Sequence, residues 1–293
     1  MKALYYPGCS QKATAKGYEE SLLCIAPDLG LELVEMEDWN CCGTTTVMAV
    51  NKVLALSLAA RNLALAEATG LDTLITPCPS CWLSLHKANE VLKQDGQVAD
   101  KVRQALDAGG FKVKGTLKIL HLLDVLIHDI GVAAIQARVT KPLKGLRVAP
   151  YYGCQVIRPY AQRDDAGNPN NLEALIGAVG GTVADFALRT ACCGGTLVAT
   201  REGVGNKMAA DVLRSIHGAK ADLVVTPCSL CQTTIEMVQR KSKKLLGEKI
   251  SIPVITVTQL IGMGLGKDRK AIALQRSLAP RKTWRRIEER PTA

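Results

Sequence analysis

Ten of the eleven cysteines in this 293-residue chain fall into one pattern that is written twice. The first set is Cys9, Cys41-Cys42 and Cys78-Pro79-Ser80-Cys81; the second is Cys154, Cys192-Cys193 and Cys228-Ser229-Leu230-Cys231. Each copy reads single cysteine, Cys-Cys-Gly, then Cys-x-x-Cys, with more than thirty residues in each gap. Five thiols gathered at one point is one more than a tetrahedral zinc holds, and one more than a cubane iron–sulfur cluster takes. The chain must therefore fold so that distant residues converge, and must do so twice.

The duplication extends beyond the cysteines. Asp72-Thr73-Leu74-Ile75-Thr76-Pro77-Cys78 is echoed by Asp222-Leu223-Val224-Val225-Thr226-Pro227-Cys228, and Tyr5-Tyr6-Pro7-Gly8-Cys9 by Tyr151-Tyr152-Gly153-Cys154. A basic stretch with Pro and Gly, Lys141 to Gly145, marks the boundary. The expected organisation is an N-terminal domain over 1–140, a C-terminal domain over 141–266 and a basic tail over 267–293. In the first half, strand patterns cover Ala3–Tyr6, Leu31–Met36, Thr73–Thr76 and Leu117–Leu120. Helical periods cover Thr14–Ala26, Thr46–Ala68, Ser80–Leu92 and His121–Asp129. Strands separated by helices predict α/β units of Rossmann-like βαβ type, with mostly parallel sheets. Cysteines at the carboxyl ends of such strands can meet, and helix N-termini there favour thiolates. Gly8, Gly43, Gly153, Gly194 and Gly195 would let backbone approach a bulky inorganic group.

Composition narrows the chemistry. Hydrophobic residues make up 47% and charged residues 22%, enough for a sizeable core. No apolar run reaches the ~18 residues of a spanning helix, and the start lacks a secretion-signal pattern. The expectation is a cytoplasmic protein without a transmembrane segment. In a reducing compartment, spaced cysteines are read as metal-binding or catalytic rather than as disulfides. Cys24, outside the repeat in an apolar stretch, is read as a small core residue. The net charge of +10 is concentrated after residue 266, where nine Lys/Arg face three acids. Nucleic-acid binding gains little from this, and the tail has three readings: a solvated extension, a docking arm for an acidic partner, or a membrane-surface contact. It has one aromatic, Trp284, and shows no strong amphipathic period.

The cysteine sets leave alternatives open. A Cys-x-x-Cys turn can reach one metal or two neighbouring irons, whereas adjacent cysteines project apart and suit two irons of a larger cluster. Zinc could take four thiols of a set. A thioredoxin-like dithiol would leave Cys-Cys-Gly unexplained.

The sequence resembles the cysteine-rich CCG-domain family, specifically the B subunit of heterodisulfide reductase and its bacterial, sulfur-oxidising-type relatives. Tyr6-Pro7-Gly8-Cys9-Ser10, Glu37-Asp38-Trp39-Asn40-Cys41-Cys42-Gly43, Thr76-Pro77-Cys78-Pro79-Ser80-Cys81, Tyr152-Gly153-Cys154 with Arg158-Pro159, and Cys192-Cys193-Gly194-Gly195 carry the likeness. The resemblance implies two non-cubane [4Fe-4S] clusters, one held by the five cysteines of each half, facing one another across a substrate cavity. It implies cleavage of a disulfide there, each sulfur taken by an iron, or the reverse oxidation of thiols or a protein-bound persulfide. Gln155 and Gln232 depart from the methanogen enzymes, which carry histidine after these cysteines. The chain contains no ferredoxin-type cysteine run, Walker loop or dinucleotide fingerprint. The family therefore suggests two partners, the iron–sulfur C subunit and the flavin-containing A subunit of a heterodisulfide reductase-like complex. Two rival readings stand beside this one: the electron-transfer component of a flavin-linked lactate- or glycolate-type dehydrogenase, and a zinc-stabilised scaffold. His86 and His121 are read as structural or surface residues on helices rather than ligands.

Overall fold

The structure is a computed structural model that describes residues 1–160 and 164–288. Glu289 and Arg290 of the basic tail lie outside the described residues. Two four-stranded sheets, one in each half, are built from strands β1 (Lys2–Tyr5), β2 (Glu32–Glu35), β3 (Thr73–Thr76) and β4 (Lys118–His121), then β5 (Arg147–Pro150), β6 (Thr182–Val183), β7 (Leu223–Thr226) and β8 (Val254–Thr256). The orders are β2-β1-β3-β4 and β6-β5-β7-β8, and every pairing is parallel. The expected α/β class of two repeated parallel-sheet units is therefore present. β3 and β7 are buried along their whole length, as central parallel strands covered by helices on both faces must be.

Most predicted elements fall within a residue or two, and the exceptions have local causes. The predicted helix 46–68 is two helices, Thr46–Val50 and Lys52–Ala68. Between them Asn51 is extended, and its side-chain oxygen accepts the Leu54 N–H at 3.0 Å. An asparagine N-cap starts a new helix more readily than it continues one. His121 ends β4 instead of opening a helix, and π-helical turns over Val125–Gly131 follow it. The helix Gln97–Ala108 was not anticipated; its apolar face is narrow, with only Ala99, Val102 and Leu106 buried.

A shared core joins the halves. Tyr18, Leu22 and Ile25 of the helix Lys16–Ile25 pack in one cluster with Leu260 and Ile261 of the helix Val257–Gly264. Ser21 and Thr258 share a buried hydrogen bond of 2.6 Å there. Reciprocally, Val132–Gln136 packs on Asn171–Ala178. The last helix of each half thus lies against the first long helix of the other. Each fully buried Leu or Ile in this layer contributes roughly 2 kcal/mol. Two further clusters lie on the outer faces of the sheets, one in each half. Cys24 is partly buried against the shared core.

The described part of the segment after Gly266, residues 267–288, is not a solvated extension. Ile272, Leu274 and Trp284 are buried in the shared core, and Gln259 donates to the Ile272 carbonyl at 3.1 Å. Arg276 makes a two-pronged ion pair with Glu20, and Ser277 donates to buried Glu236. The helix Arg281–Glu288 is amphipathic after all: Trp284 and Ile287 face inward while Arg281, Lys282, Arg285 and Arg286 are exposed. Two apolar residues among eight were too few to read as a period in the sequence.

Candidate functional site

Three of the four strands in each sheet lead into one piece of a cysteine set. β3 ends at Thr76, and Cys78 then caps the helix Pro79–Leu92 from an extended backbone. Cys228 does the same for Ser229–Gln239. The Cys78 and Cys228 N–H groups donate to Thr76 and Thr226 hydroxyls at 3.4 and 3.3 Å. Pro79 suits the first helical turn, which needs no N–H. Cys9 and Cys154 follow β1 and β5, so all three segments meet at the carboxyl edge of their sheet.

The structure brings the two sets together as two groups. In the first, Cys9 and Cys41 sulfurs are 3.9 Å apart and Cys42 and Cys81 sulfurs 3.5 Å apart. In the second, Cys193 and Cys231 sulfurs are 3.5 Å apart. Cys42, Cys78 and Cys81 are buried, with Cys9 and Cys41 exposed; Cys193, Cys228 and Cys231 are buried, with Cys154 and Cys192 partly so. Among the described residues, no three His, Cys, Asp or Glu side chains are arranged to hold a single metal ion. The thiols are linked one to the next within each group instead, Cys42 to Cys41 and Cys81, and Cys192 to Cys154 and Cys193.

Crowded thiols divide their protons unequally. Hydrogen bonding from Cys41, then Cys81, holds Cys42 down at about 3, while its partner Cys41 is pushed up. Cys192 is lowered to about 2 by Cys154 and then Cys193, and Cys154 is pushed up in return. Cys228 is lowered by Cys231, with backbone N–H groups of Cys231 and Leu230 adding to it. That last contribution is the helix N-terminus favouring a thiolate.

Glycines make room for this crowding at two equivalent points. Gly8 has φ +72°, and a Cβ there would stand 2.8 Å from the Cys81 sulfur; at Gly153 (φ +71°) the distance to Cys231 is 2.9 Å. Gly43 and Gly194 face helix backbone instead, at Ala55 and Gly205. Gly195 lies against Thr234, with the Cys193 sulfur 3.3 Å from its Cβ position.

Several site residues were missed in the sequence. The Tyr6 hydroxyl donates to the Asn40 carbonyl at 2.7 Å, and that of Tyr151 to the Ala191 carbonyl at 2.8 Å. Both tyrosines lie three residues before a set's first cysteine, and both carbonyls directly precede Cys-Cys. Buried Asn62 clamps Asn40 further, accepting its N–H and donating to its carbonyl, each at 2.9 Å. The signal was the repeated Tyr, visible only when both copies are aligned on their cysteines.

The two groups also meet each other. Ser10, next to Cys9, lies 3.3 Å from Ser229 inside the opposite Cys-x-x-Cys. Ser80, inside the first Cys-x-x-Cys, donates to Gln155, next to Cys154. A cleft of about 220 Å³ is lined by all five second-set cysteines, with Gln155 and, from the first half, Thr45 and Pro79. Of the two glutamines that follow a cysteine of the second set, only Gln155 reaches this cleft. Gln232 turns away and donates to the Val254 carbonyl of β8 at 3.0 Å. His121 is fully buried between the Cys-x-x-Cys loops: its Nε2 lies 3.2 Å from the Pro77 carbonyl, and the Pro227 carbonyl also bonds it. His86 stacks on Trp82 and meets Tyr160 edge-on.

Comparison with known proteins follows the same lines. The cysteine-rich domain family matches residues 3–86 and 148–236. The chain is similar to the membrane anchor subunit of an 8-methylmenaquinol:fumarate reductase of Wolinella succinogenes, 34% identical over 94% of this chain and 95% of that one. It is similar also to a protein of Archaeoglobus profundus that is like the B subunit of heterodisulfide reductase, 32% identical over 91% of each. A hypothetical protein of Helicobacter pylori has the same fold, with a TM-score of 0.76 at 15% identity, over 95% of this chain and 52% of that one. Among the described residues no helix is long and apolar enough to cross a membrane.

Proposed function

Because the chain belongs to the cysteine-rich CCG-domain family, and resembles the B subunit of heterodisulfide reductase, we propose that it is the catalytic iron–sulfur component of a heterodisulfide reductase-like complex. Its substrate would be a disulfide, or in reverse a thiol or protein-bound persulfide. The observation that carries this reading is the cross-half contact. Ser10–Ser229 and Ser80–Gln155 hold the two cysteine sets against one another, and a single cleft takes wall residues from both halves.

The donor sets fit an iron–sulfur cluster. Five thiols converge in each half, and Gly8 and Gly153 let the backbone come so close to Cys81 and Cys231 that a Cβ would run into the sulfur. Cys9, Cys41, Cys42, Cys78 and Cys81 would hold one non-cubane [4Fe-4S] cluster; Cys154, Cys192, Cys193, Cys228 and Cys231 would hold the other. Bound there, the clusters would supply one-electron redox chemistry, so that two of them could share the two-electron demand of a disulfide. The chain's own groups do the rest. Low-lying Cys42 and Cys192 present thiolate without a proton to lose first, and Cys228 is shifted in the same direction. The hydroxyls of Tyr6 and Tyr151 fix the approach of the Cys-Cys turns. Gln155 places an amide in the cleft beside the thiols, where it can orient a polar substrate group without carrying a proton. Electrons would enter or leave through partner subunits of the iron–sulfur and flavin type. The domain limits 1–140 and 141–266 belong to this proposal, with the basic segment as a strap across both.

A second reading is favoured by the fumarate reductase relative, whose name carries no sulfur substrate: an electron carrier that performs no thiol chemistry. Thiol titration of the oxidised complex under electron paramagnetic resonance separates the two. A thiol-dependent cluster signal, reduced in Gln155→Ala, is expected. Cluster signals that ignore added thiol would overturn the catalytic reading.

A further inference from the structure

Away from the cysteines, a cavity of about 410 Å³ opens between the linker at 141–146, the end of the helix Val257–Gly264 and the C-terminal strap. Five cations line it: Lys141, Lys144, Lys267, Arg269 and Arg281, with no acid among the described lining residues. Its remaining wall is apolar, including Leu143, Met263, Ile272 and Ile287. Lys267 pairs with Asp28 at 2.7 Å. Arg269 is held over the Trp284 ring, 4.7 Å from its centroid, which fixes the plane of its guanidinium. Lys141, Lys144 and Arg281 are exposed and make no ion pair among the described residues.

Like charges gathered at one mouth repel, and they cost stability unless an anion neutralises them. An apolar wall beside them excludes a merely inorganic ion as the full complement. The size falls within the range of small-molecule sites. We infer that this cavity binds an anionic amphiphile: a phosphate monoester head between the Arg281 guanidinium and the lysines Lys141 and Lys144, with a short apolar stem along Met263 and Ile287. Arginine forks match phosphate oxygens two at a time, and the lysines add charge without imposing geometry. Because the strap forms one wall, occupancy also ties residues 272–287 to the linker between the halves. The inference uses none of the cysteine-site residues and stands apart from the proposed redox role.

The test uses the full chain, purified anaerobically, with n-octyl phosphate below its micelle concentration as the titrant in calorimetry. Saturable binding with one site per chain is expected. Octanol and inorganic phosphate, each half of the ligand, should bind at least about tenfold more weakly. Lys144→Gln/Arg281→Gln, which changes only exposed side chains, should weaken octyl phosphate about tenfold or more, with unaltered thermal unfolding in its absence. Met263→Trp, which fills the apolar end, should weaken it while leaving inorganic phosphate unchanged. Equal affinity in either variant would overturn the site. So would equal affinity for inorganic phosphate, which would leave the apolar wall without a role. Adsorption to phosphatidylglycerol vesicles with no uptake of octyl phosphate would likewise overturn it, and would assign the basic surface to a membrane contact.

Discussion

Gly8 and Gly153 show why single residues at this site are constrained twice over. Each adopts a left-handed backbone that disfavours a side chain, and each would place a Cβ within 3 Å of a cysteine sulfur, Cys81 or Cys231. A left-handed L-residue costs about 1–2 kcal/mol on its own. The contact adds to that cost unless the thiol moves. Gly8→Ala is therefore expected to displace Cys81 and cut bound iron by about half, leaving the second set loaded; iron analysis of the purified variant reads this. Full iron content would mean that the close approach is not needed. The glycines themselves were legible in the sequence, but their separate jobs were not. Gly43 and Gly194 were grouped with Gly8 and Gly153, and only the fold shows that they meet helix backbone rather than sulfur.

At the level of elements, β4 carries a pH-sensitive joint. His121 ends the strand, and its Nδ1 accepts the Leu123 N–H at 3.1 Å, which leaves Nε2–H to face the Pro77 carbonyl. Burial lowers it from 6.5 to about 4, so the folded protein holds a neutral imidazole. Unfolded His121 protonates as pH drops below about 6.5 while the folded form resists until about 4, so this group stabilises the fold above that window and the contribution is lost as pH falls through it. The loss approaches about 3 kcal/mol. Chemical denaturation at pH 7 and pH 4 should show the wild type losing more stability than His121→Asn; equal losses would count against the assignment. The C-terminal strap is the second such element. Trp284 is 1% exposed and joins both halves in one core, so Trp284→Ala should cost about 3–5 kcal/mol in urea denaturation. A loss below about 1 kcal/mol would mean that the strap is only laid on the surface. Sequence reading placed β3 correctly because Thr73-Leu74-Ile75-Thr76 is a short run rich in β-branched residues, bounded by Asp72 and Pro77. It missed the break at Asn51 and the inward face of Arg281–Glu288, since both depend on which neighbour a short segment meets.

Seen whole, the molecule is a duplicated unit whose halves exchange helix contacts and face each other through their cysteine loops. The duplication, the parallel sheets and the two cysteine sets could be read from spacing alone, because strand-end placement follows from βαβ order. Contacts between copies could not. Ser10–Ser229 and Ser80–Gln155 join residues 219 and 75 positions apart, and no periodicity encodes which loop of one half meets which loop of the other. The same holds for Gln155 and Gln232, equivalent in the sequence as residues following a cysteine yet divided by the fold into a cleft residue and a strand anchor. The central claim is that these ten cysteines form two independent cluster sites on one chain. Iron and acid-labile sulfide analysis of anaerobically purified wild type, Cys42→Ser and Cys193→Ser tests it directly. The account predicts about eight iron and about eight sulfide in the wild type, and about half of each in either variant with the fold retained. Zinc without iron in the wild type, or loss of all iron from one substitution, would contradict it.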